Sequence, residues 1–449
     1  MTDLSDDVPH FSSKPLHAEL GPAFLVCLHI VICCVSLIYV AEFYQRLQIV
    51  MFDETRLDAA ALNIVPLALV SVLFTFSRFS FGYVLGFYFY TMILGYLWLV
   101  EFSRFQYDHT LAAVSAFASA LAFLVPALFI RSPIKQRLVL SARALDILLY
   151  LILIFAVTVI AAGALRSFRL VGLSEIYNFR SGIEFPTWLG YAIGATPNAL
   201  LPFAFACFFM RDNSRLAAVA LVLLAAFYPI TLSKFSLFGP FWLLFLALLS
   251  RYFEARTSAV FSLFLPISTG VILILLYKSD ALSFEQIGLY FGTINFRMIA
   301  VPSSALDFYN DFFSTHDITY FCQISFWKPF ASCPYADQLS VVMEKTYHLG
   351  NFNASLFATE GIASVGMIMA PVAVLACGLV IALGNCLSAG LPPRFILLSG
   401  GMLPQTFLNV PLTTTLLTNG AALLFLLWYI TPRTMFGPAR SDSPELEAD

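Results

Sequence analysis

Long, unbroken apolar runs alternate with short polar stretches along the whole chain. The runs are about 20 residues long, the length that carries a helix across a bilayer core. Twelve can be drawn, at roughly 22–44, 58–76, 79–100, 110–130, 144–164, 187–208, 215–231, 235–250, 258–277, 356–383, 394–411 and 413–431. They are continuously apolar rather than alternating, which predicts an all-α polytopic membrane protein and argues against a spanning β-barrel. The 2–3 and 11–12 connections are short enough to make antiparallel hairpins, and Pro229 and Lys234 mark the junction of the seventh and eighth runs. The expected organisation is a disordered tail at 1–21, spans one to nine over 22–277, a large loop at 278–355, spans ten to twelve over 356–431, and a disordered tail at 432–449.

Lys and Arg set the expected orientation. The segment 131–143, "RSPIKQRLVLSAR", has four positive charges and no acid, which places it in the cytoplasm together with both termini. That side then collects 13 of the 24 Lys and Arg, and four of the other 11 lie in the long loop, which is exempt from the rule. Arg166, Arg169 and Arg180, in "RSFRLVGLSEIYNFRSGIEF", fall on the outer side, where the rule disfavours them. They read as solvated loop charges or as an anion site.

The loop 278–355 shares that outer face. Ser304 and Asp307 have capping-box spacing after Pro302, which predicts a short helix from about 305 to 313. Leu306, Tyr309 and Phe313 would lie on one side of it, and Asp307 and Asp311, four apart, would share another. A second helix is expected around 336–347, and Trp327 and Phe330 suit the interfacial zone.

Composition narrows the function class. The chain is 60% hydrophobic and 11% charged, with 46 Phe, and these values exclude an ordinary soluble domain. A net charge of -3 without a basic run gives no reason to expect a nucleic-acid partner. The acidic, polar start "MTDLSDDVPHFSSK" is no cleaved signal peptide, so the first span is expected to act as the targeting signal. Six of the eight Cys lie in or beside apolar runs as packing residues. Cys322 and Cys333, eleven apart in a loop placed in an oxidising compartment, are expected to pair as a disulfide. No Cys/His metal spacing, nucleophile elbow or phosphate-binding loop is present, so no metal and no cofactor are expected.

Four constellations carry candidate chemistry: Arg180 in "IYNFRSG", Lys234 in "TLSKFSLFGP", Arg297 with Asp307 and Asp311, and Glu360 in "LGNFNASLFATEGIASVG". Lys234 also fits a cation snorkelling from a span end, and Glu360 an acid favoured at a helix start. Gly361 and Gly366 fit close helix packing, and Gly82 and Gly86 form one GxxxG pair. Charged groups at a membrane boundary are site candidates by default, and Arg suits phosphate because its planar fork can hold two oxygens. Each charge-assisted hydrogen bond contributes about 1.5–3 kcal/mol, so three or four cations can supply much of the recognition of a pyrophosphate.

Between about 160 and 385, "IYNFRSG", "SKFSLFGPFWLL", "FRMIAVPSSALDFYNDFF" and "GNFNASLFATEGIASVGMIMAP" occur in that order. This pattern resembles the O-antigen polymerase, or oligosaccharide repeat-unit polymerase (Wzy-type), family. The resemblance implies a GT-C-like membrane glycosyltransferase of the bacterial inner membrane with one large periplasmic loop. Such an enzyme would take undecaprenyl-diphosphate-linked oligosaccharide and transfer the growing chain onto the next repeat unit. It would use no nucleotide sugar, with a flippase and a chain-length regulator as expected partners. The expected catalytic set is Arg180, Arg297, Asp307, Asp311 and Glu360, and the expected substrate-binding set is Arg166, Arg169, Lys234, Tyr309, Asn351 and Asn353. An O-antigen ligase remains open, in which His316 or His348 would matter. A twelve-span transporter is the reading from another class. Against it stand the five-residue connection between spans six and seven and the lack of an internal repeat.

Overall fold

The computed structural model describes residues 16–47, 49–172, 179, 183–324, 327–350 and 352–436. Apart from an isolated bridge between Val50 and Ser103, the described residues form helices, turns and irregular chain. Among the described residues ten helices are long and apolar enough to cross a membrane. Nine come in sequence order: α1 (Leu16–Arg46), α2 (Glu54–Phe76), α3 (Phe81–Leu99), α4 (His109–Phe129), α5 (Ala142–Ala164), α6 (Thr187–Met210), α7 (Ser214–Thr231), α8 (Lys234–Tyr252) and α9 (Ala255–Lys278). These match the first nine expected spans to within a few residues.

The C-terminal third departs from the expectation. α10 runs without a break through Phe284–Phe291, a π segment Gly292–Ala300 and Val301–Thr315. The short helix expected at 305–313 is therefore the end of a much longer one, and the capping box sits elsewhere. Ser283 and Gln286 cap the start of α10, with the Gln286 side chain accepting from the Ser283 N–H at 2.8 Å. Ser304 lies in the helix interior. Pro302 does not stop the helix because the wide π turn before it has already altered the hydrogen-bond ladder there. α11 (Leu339–Tyr347) is the second expected loop helix.

The tenth long helix, α12 (Phe357–Ser388), turns sharply at Gly366, whose φ of +76° is a conformation open mainly to glycine. Its first arm, the π segment Phe357–Ala363, folds back so that Gly361 lies beside Ala370 and Val374. Gly361 thus packs closely as expected, whereas Gly366 makes the turn. The eleventh and twelfth expected spans are each broken into two short helices: α13 (Pro393–Gly400) with α14 (Leu403–Asn409), and α15 (Leu412–Leu417) with α16 (Ala421–Ile430).

α3 is the hub, with every residue buried. Its GxxxG pair faces α4: Gly82 meets the Ala127 carbonyl and Gly86 meets Leu124. α12 runs alongside α4, and a Cβ at Gly378 would stand 2.8 Å from Pro126 Cγ and 2.9 Å from the Phe123 carbonyl oxygen. The small residues let backbones approach, which is how helices gain packing energy without a hydrophobic drive from lipid. The bundle has two ends. At the upper end α1, α3 and α9 finish and α4 begins, tied by the Met51 N–H to the Phe102 carbonyl and by Lys278 to Glu42. The lower end holds the start of α3, the end of α4 and the end of α12, joined through Asn385.

Candidate functional site

α10 is not part of a surface loop. It packs against α1, α3 and α9. Asn295 donates to Ser36 Oγ (2.8 Å) and to the Ile267 carbonyl (3.1 Å), and Ser303 donates to the Met92 carbonyl (2.7 Å). Residues 302–310 are all buried. Polar groups placed there are costly unless they find partners.

Asp307 finds them in the connection between α3 and α4. Ser103 Oγ donates to both carboxylate oxygens at 2.9 Å, and the Tyr107 hydroxyl donates to Oδ1. Tyr107 also meets the Tyr96 hydroxyl at 3.3 Å, which accepts from Asn310 Nδ2 at 2.9 Å. Asp307 lies level with Ser103 and Tyr107, beyond the end of α3. Burial pushes its carboxyl up to about 7, against the downward pull of the Tyr107 and Ser103 hydroxyls and with a further upward push from Asp311. A proton acceptor poised near neutrality is suited to general base chemistry.

One turn on, half-buried Asp311 accepts from the Tyr347 hydroxyl at 2.6 Å. Phe105, Phe308 and Tyr347 pack their rings together at 5.2–5.3 Å beneath the pair. Arg297 is exposed on the π segment, close enough to Tyr44 of α1 for its charge to act there. Glu360, on the folded-back arm of α12, is 4% exposed. It accepts from Thr359 Oγ1 at 2.6 Å and from the Thr413 N–H at 3.2 Å, so it closes the start of α15 rather than facing solvent. Tyr309 of α10 is buried within reach of the Glu360 charge.

Arg297, ten residues before Asp307 on α10, lies on a segment packed against α1, whereas α10 and the arm of α12 bring Asp307, Tyr309, Asp311 and Glu360 into one packed region. Asn353 is exposed beside it, following Phe352, whose ring packs on Phe308 at 4.7 Å. Arg166, Arg169 and Lys234 belong to a second region. There the Arg169 N–H donates to the Pro229 carbonyl (2.9 Å) and the Tyr228 hydroxyl to the Val171 carbonyl (2.6 Å), so the segment after α5 is laid on the α7–α8 junction. The expected cation set is thus divided between two sets of neighbours. Arg180 and Asn351 lie outside the described residues. Cys322 and Cys333 are joined as a disulfide, with Cα atoms 5.3 Å apart. His316 stacks on Phe312 at 4.0 Å, and His348 caps α11. Among the described residues no group of three His, Cys, Asp or Glu is placed to hold a metal ion.

Sequence reading missed Ser103, Tyr107 and Tyr347 as partners of the carboxylates. The Asp307 partners lie some two hundred positions away, and no local period reports such a pair. The one available signal was the polar, aromatic composition of "EFSRFQYDH" at a span end.

Compared with protein-family models, with curated proteins and with solved structures, the chain matches none. It is a multi-pass, all-helical membrane-type protein by its own architecture.

Proposed function

We infer that the protein is a membrane glycosyltransferase of the oligosaccharide repeat-unit polymerase type. It would extend undecaprenyl-diphosphate-linked glycan at the periplasmic face of the bacterial inner membrane. The observation that carries the reading is α10: one helix packed into the bundle bears an exposed Arg297 and, at the upper end, the two carboxylates Asp307 and Asp311. Ionisable side chains on a helix packed into a membrane-type bundle are expensive and mark function by default. The π segments point the same way. Such helices make up well under 1% of residues in proteins and concentrate at functional sites. Two of those described here carry Arg297 and Glu360.

In this reading the upper end is periplasmic, both termini are cytoplasmic, and α13–α14 and α15–α16 complete the eleventh and twelfth crossings. Arg297 holds diphosphate oxygens of the donor lipid. Asp307 takes the proton from the acceptor sugar hydroxyl as that oxygen attacks the anomeric carbon, and the bond to diphosphate breaks. Undecaprenyl diphosphate leaves with the electron pair. Arg297 then stabilises charge that grows toward the transition state, which is the condition for acceleration. Glu360 positions α15 and the arm of α12.

The test is purified protein given a lipid-linked repeat unit as sole substrate, with no nucleotide sugar. A ladder of longer lipid-linked glycans is expected, together with release of undecaprenyl diphosphate. Arg297→Ala should abolish the ladder while the protein still accumulates. Arg297→Lys, which keeps charge but loses the two-pronged geometry, should keep partial activity at most. A deletion strain that accumulates full-length lipid-linked polymer would overturn the reading in favour of a ligase.

A further inference from the structure

The loop closed by Cys322–Cys333 presents Trp327 (45% exposed) and Phe330 (79%) to the outside, and Tyr320, two positions before the first cysteine, is 67% exposed at its root. Trp327 and Phe330 lie ring to ring at 5.7 Å, with Lys328 exposed between them. Isolated exposed apolar residues need no explanation, but two aromatics on one covalently closed loop with a third at its root do.

The backbone at the root of this loop is strained. Tyr320 and Phe321 have φ of +48° and +64°, a left-handed conformation that bulky residues rarely adopt. A hydrogen-bond set holds it there. Thr319 Oγ1 donates to Gln323 Oε1 at 2.6 Å, Gln323 Nε2 donates to Ser364 Oγ at 2.8 Å, and the Thr319 and Tyr320 N–H groups donate to the carbonyls of Ala363 and Ser364. Strain retained by surrounding bonds points to a use for the geometry it produces. Here the geometry turns Tyr320 outward.

The depth of the root says what the loop meets. Ala363 and Ser364 adjoin the Gly366 turn, and Ser115 Oγ donates to the Met367 carbonyl just beyond it. Ser115 lies six residues into α4, about 9 Å from its start at the helical rise. The loop therefore leaves the bundle from within the outer part of a spanning helix. The next turn of α12 shows Ile368 at 75% and Val372 at 58% exposed, an apolar face on a span, which is a lipid-facing one.

We propose that the Cys322–Cys333 loop is an interfacial membrane-binding element, seating Tyr320, Trp327 and Phe330 among the headgroups and glycerol groups of the leaflet at the upper end. Amphipathic aromatic rings favour that zone, and Lys328 supplies a cation for lipid phosphate. The disulfide closes the segment that carries Trp327 and Phe330, and the Thr319 and Tyr320 bonds to Ala363 and Ser364 couple its root to the arm that carries Glu360. This placement rests on the geometry of the loop and is independent of the glycosyl-transfer reading.

The test uses full-length protein reconstituted into phosphatidylethanolamine–phosphatidylglycerol vesicles, with the Trp327 fluorescence taken as wild type minus Trp327→Phe. That component should be shielded from aqueous iodide. It should be quenched more by phospholipid brominated near the headgroup end of the chain than by phospholipid brominated near the chain terminus. Phe330→Trp in the Trp327→Phe background gives a second, independent reading and should behave alike. Free access of iodide with no quenching by brominated lipid overturns the proposal and leaves the patch to a protein or glycan partner. Strongest quenching at the chain terminus overturns it as well, because the loop would then be buried in hydrocarbon.

Discussion

The two ends of the bundle use charge differently, although Arg56 at the upper end also donates to a backbone carbonyl, that of Glu101, and Arg211 at the lower end pairs with Asp146. At the lower end two cations serve the backbone where helices end. Arg256 donates to the carbonyls of Thr75 and Ser77 where α2 ends, and Arg433 to those of Leu387 and Trp428 where α12 and α16 end. These are the orphan carbonyls and the negative pole of a helix C-terminus, so the cations hold helices in place. At the upper end a buried carboxylate, Asp307, is bonded to the hydroxyls of Ser103 and Tyr107, and a half-buried one, Asp311, to that of Tyr347, while Arg297 is exposed. The helices differ too. α3, α4 and the body of α12 pack through glycine toward the lower end, whereas α6, α10 and the start of α12 carry π segments. A cation excess on one side of a membrane protein is thus partly architectural. An acid buried beside hydroxyls at a span end is the better pointer to chemistry.

The comparison breaks most severely at Gly378. Gly378→Leu would drive a side chain into the backbone of α4, because the Cβ alone stands 2.9 Å from the Phe123 carbonyl oxygen and 3.1 Å from its Cα. Overpacking typically costs about 1–3 kcal/mol, and more where the obstacle is backbone that cannot turn aside. The expected outcome is loss of folded protein, read as collapse of the monodisperse peak in detergent. Asp311→Asn, at the other end, should leave that peak intact. If Gly378→Leu folds normally, the lower end is not the rigid half.

A second contrast is in pH. The Asp307 carboxyl is raised by burial from its ordinary 3.8 to about 7. Between those values the folded protein holds a proton that the unfolded chain has released. Stability is therefore full below the ordinary value, falls as pH rises through the interval, and stays lower above about 7. Asp307→Asn cannot titrate, so its thermal midpoint should lack this decline. The wild-type and variant curves should separate as pH rises, and parallel curves would show that Asp307 does not carry the slope.

Much of the bundle was legible in the sequence, for a physical reason. A lipid-facing or buried span needs about 20 apolar residues whatever its neighbours, so nine spans could be drawn from composition alone. α10 was not legible as a packed helix. Arg297, Asp307 and Asp311 lower its hydropathy, and Pro302 reads as a breaker unless the π turn before it is known. The fold-back at Gly366 was hidden inside an apolar run that had the right length for one straight span. Within the site, Asp307 and Asp311 stood out because charge is rare in this chain. Tyr107, one of 19 tyrosines, was marked only by the polar, aromatic composition of its segment at a span end.

The smallest expected effect concerns the covalent closure at the upper end. Cys322 and Cys333 span eleven positions, and closing a loop of that size limits the open chain by about 3 kcal/mol on the chain-entropy model. The spans do not depend on it, because the loop meets α12 through backbone bonds at its root rather than through the sulfurs. Replacing both cysteines by serine should therefore leave the global thermal midpoint nearly unchanged. The same change should raise amide exchange in the described residues 327–333 and, to a lesser degree, at Thr319 and Tyr320, whose N–H groups bond to Ala363 and Ser364. Exchange within α3 and the lower part of α12 should not move. Full labelling of both thiols in the untreated native protein would contradict the pairing itself. A rise in exchange that spreads to α3 would show that the irregular upper end and the regular lower end open as one unit, and the contrast between them would fail.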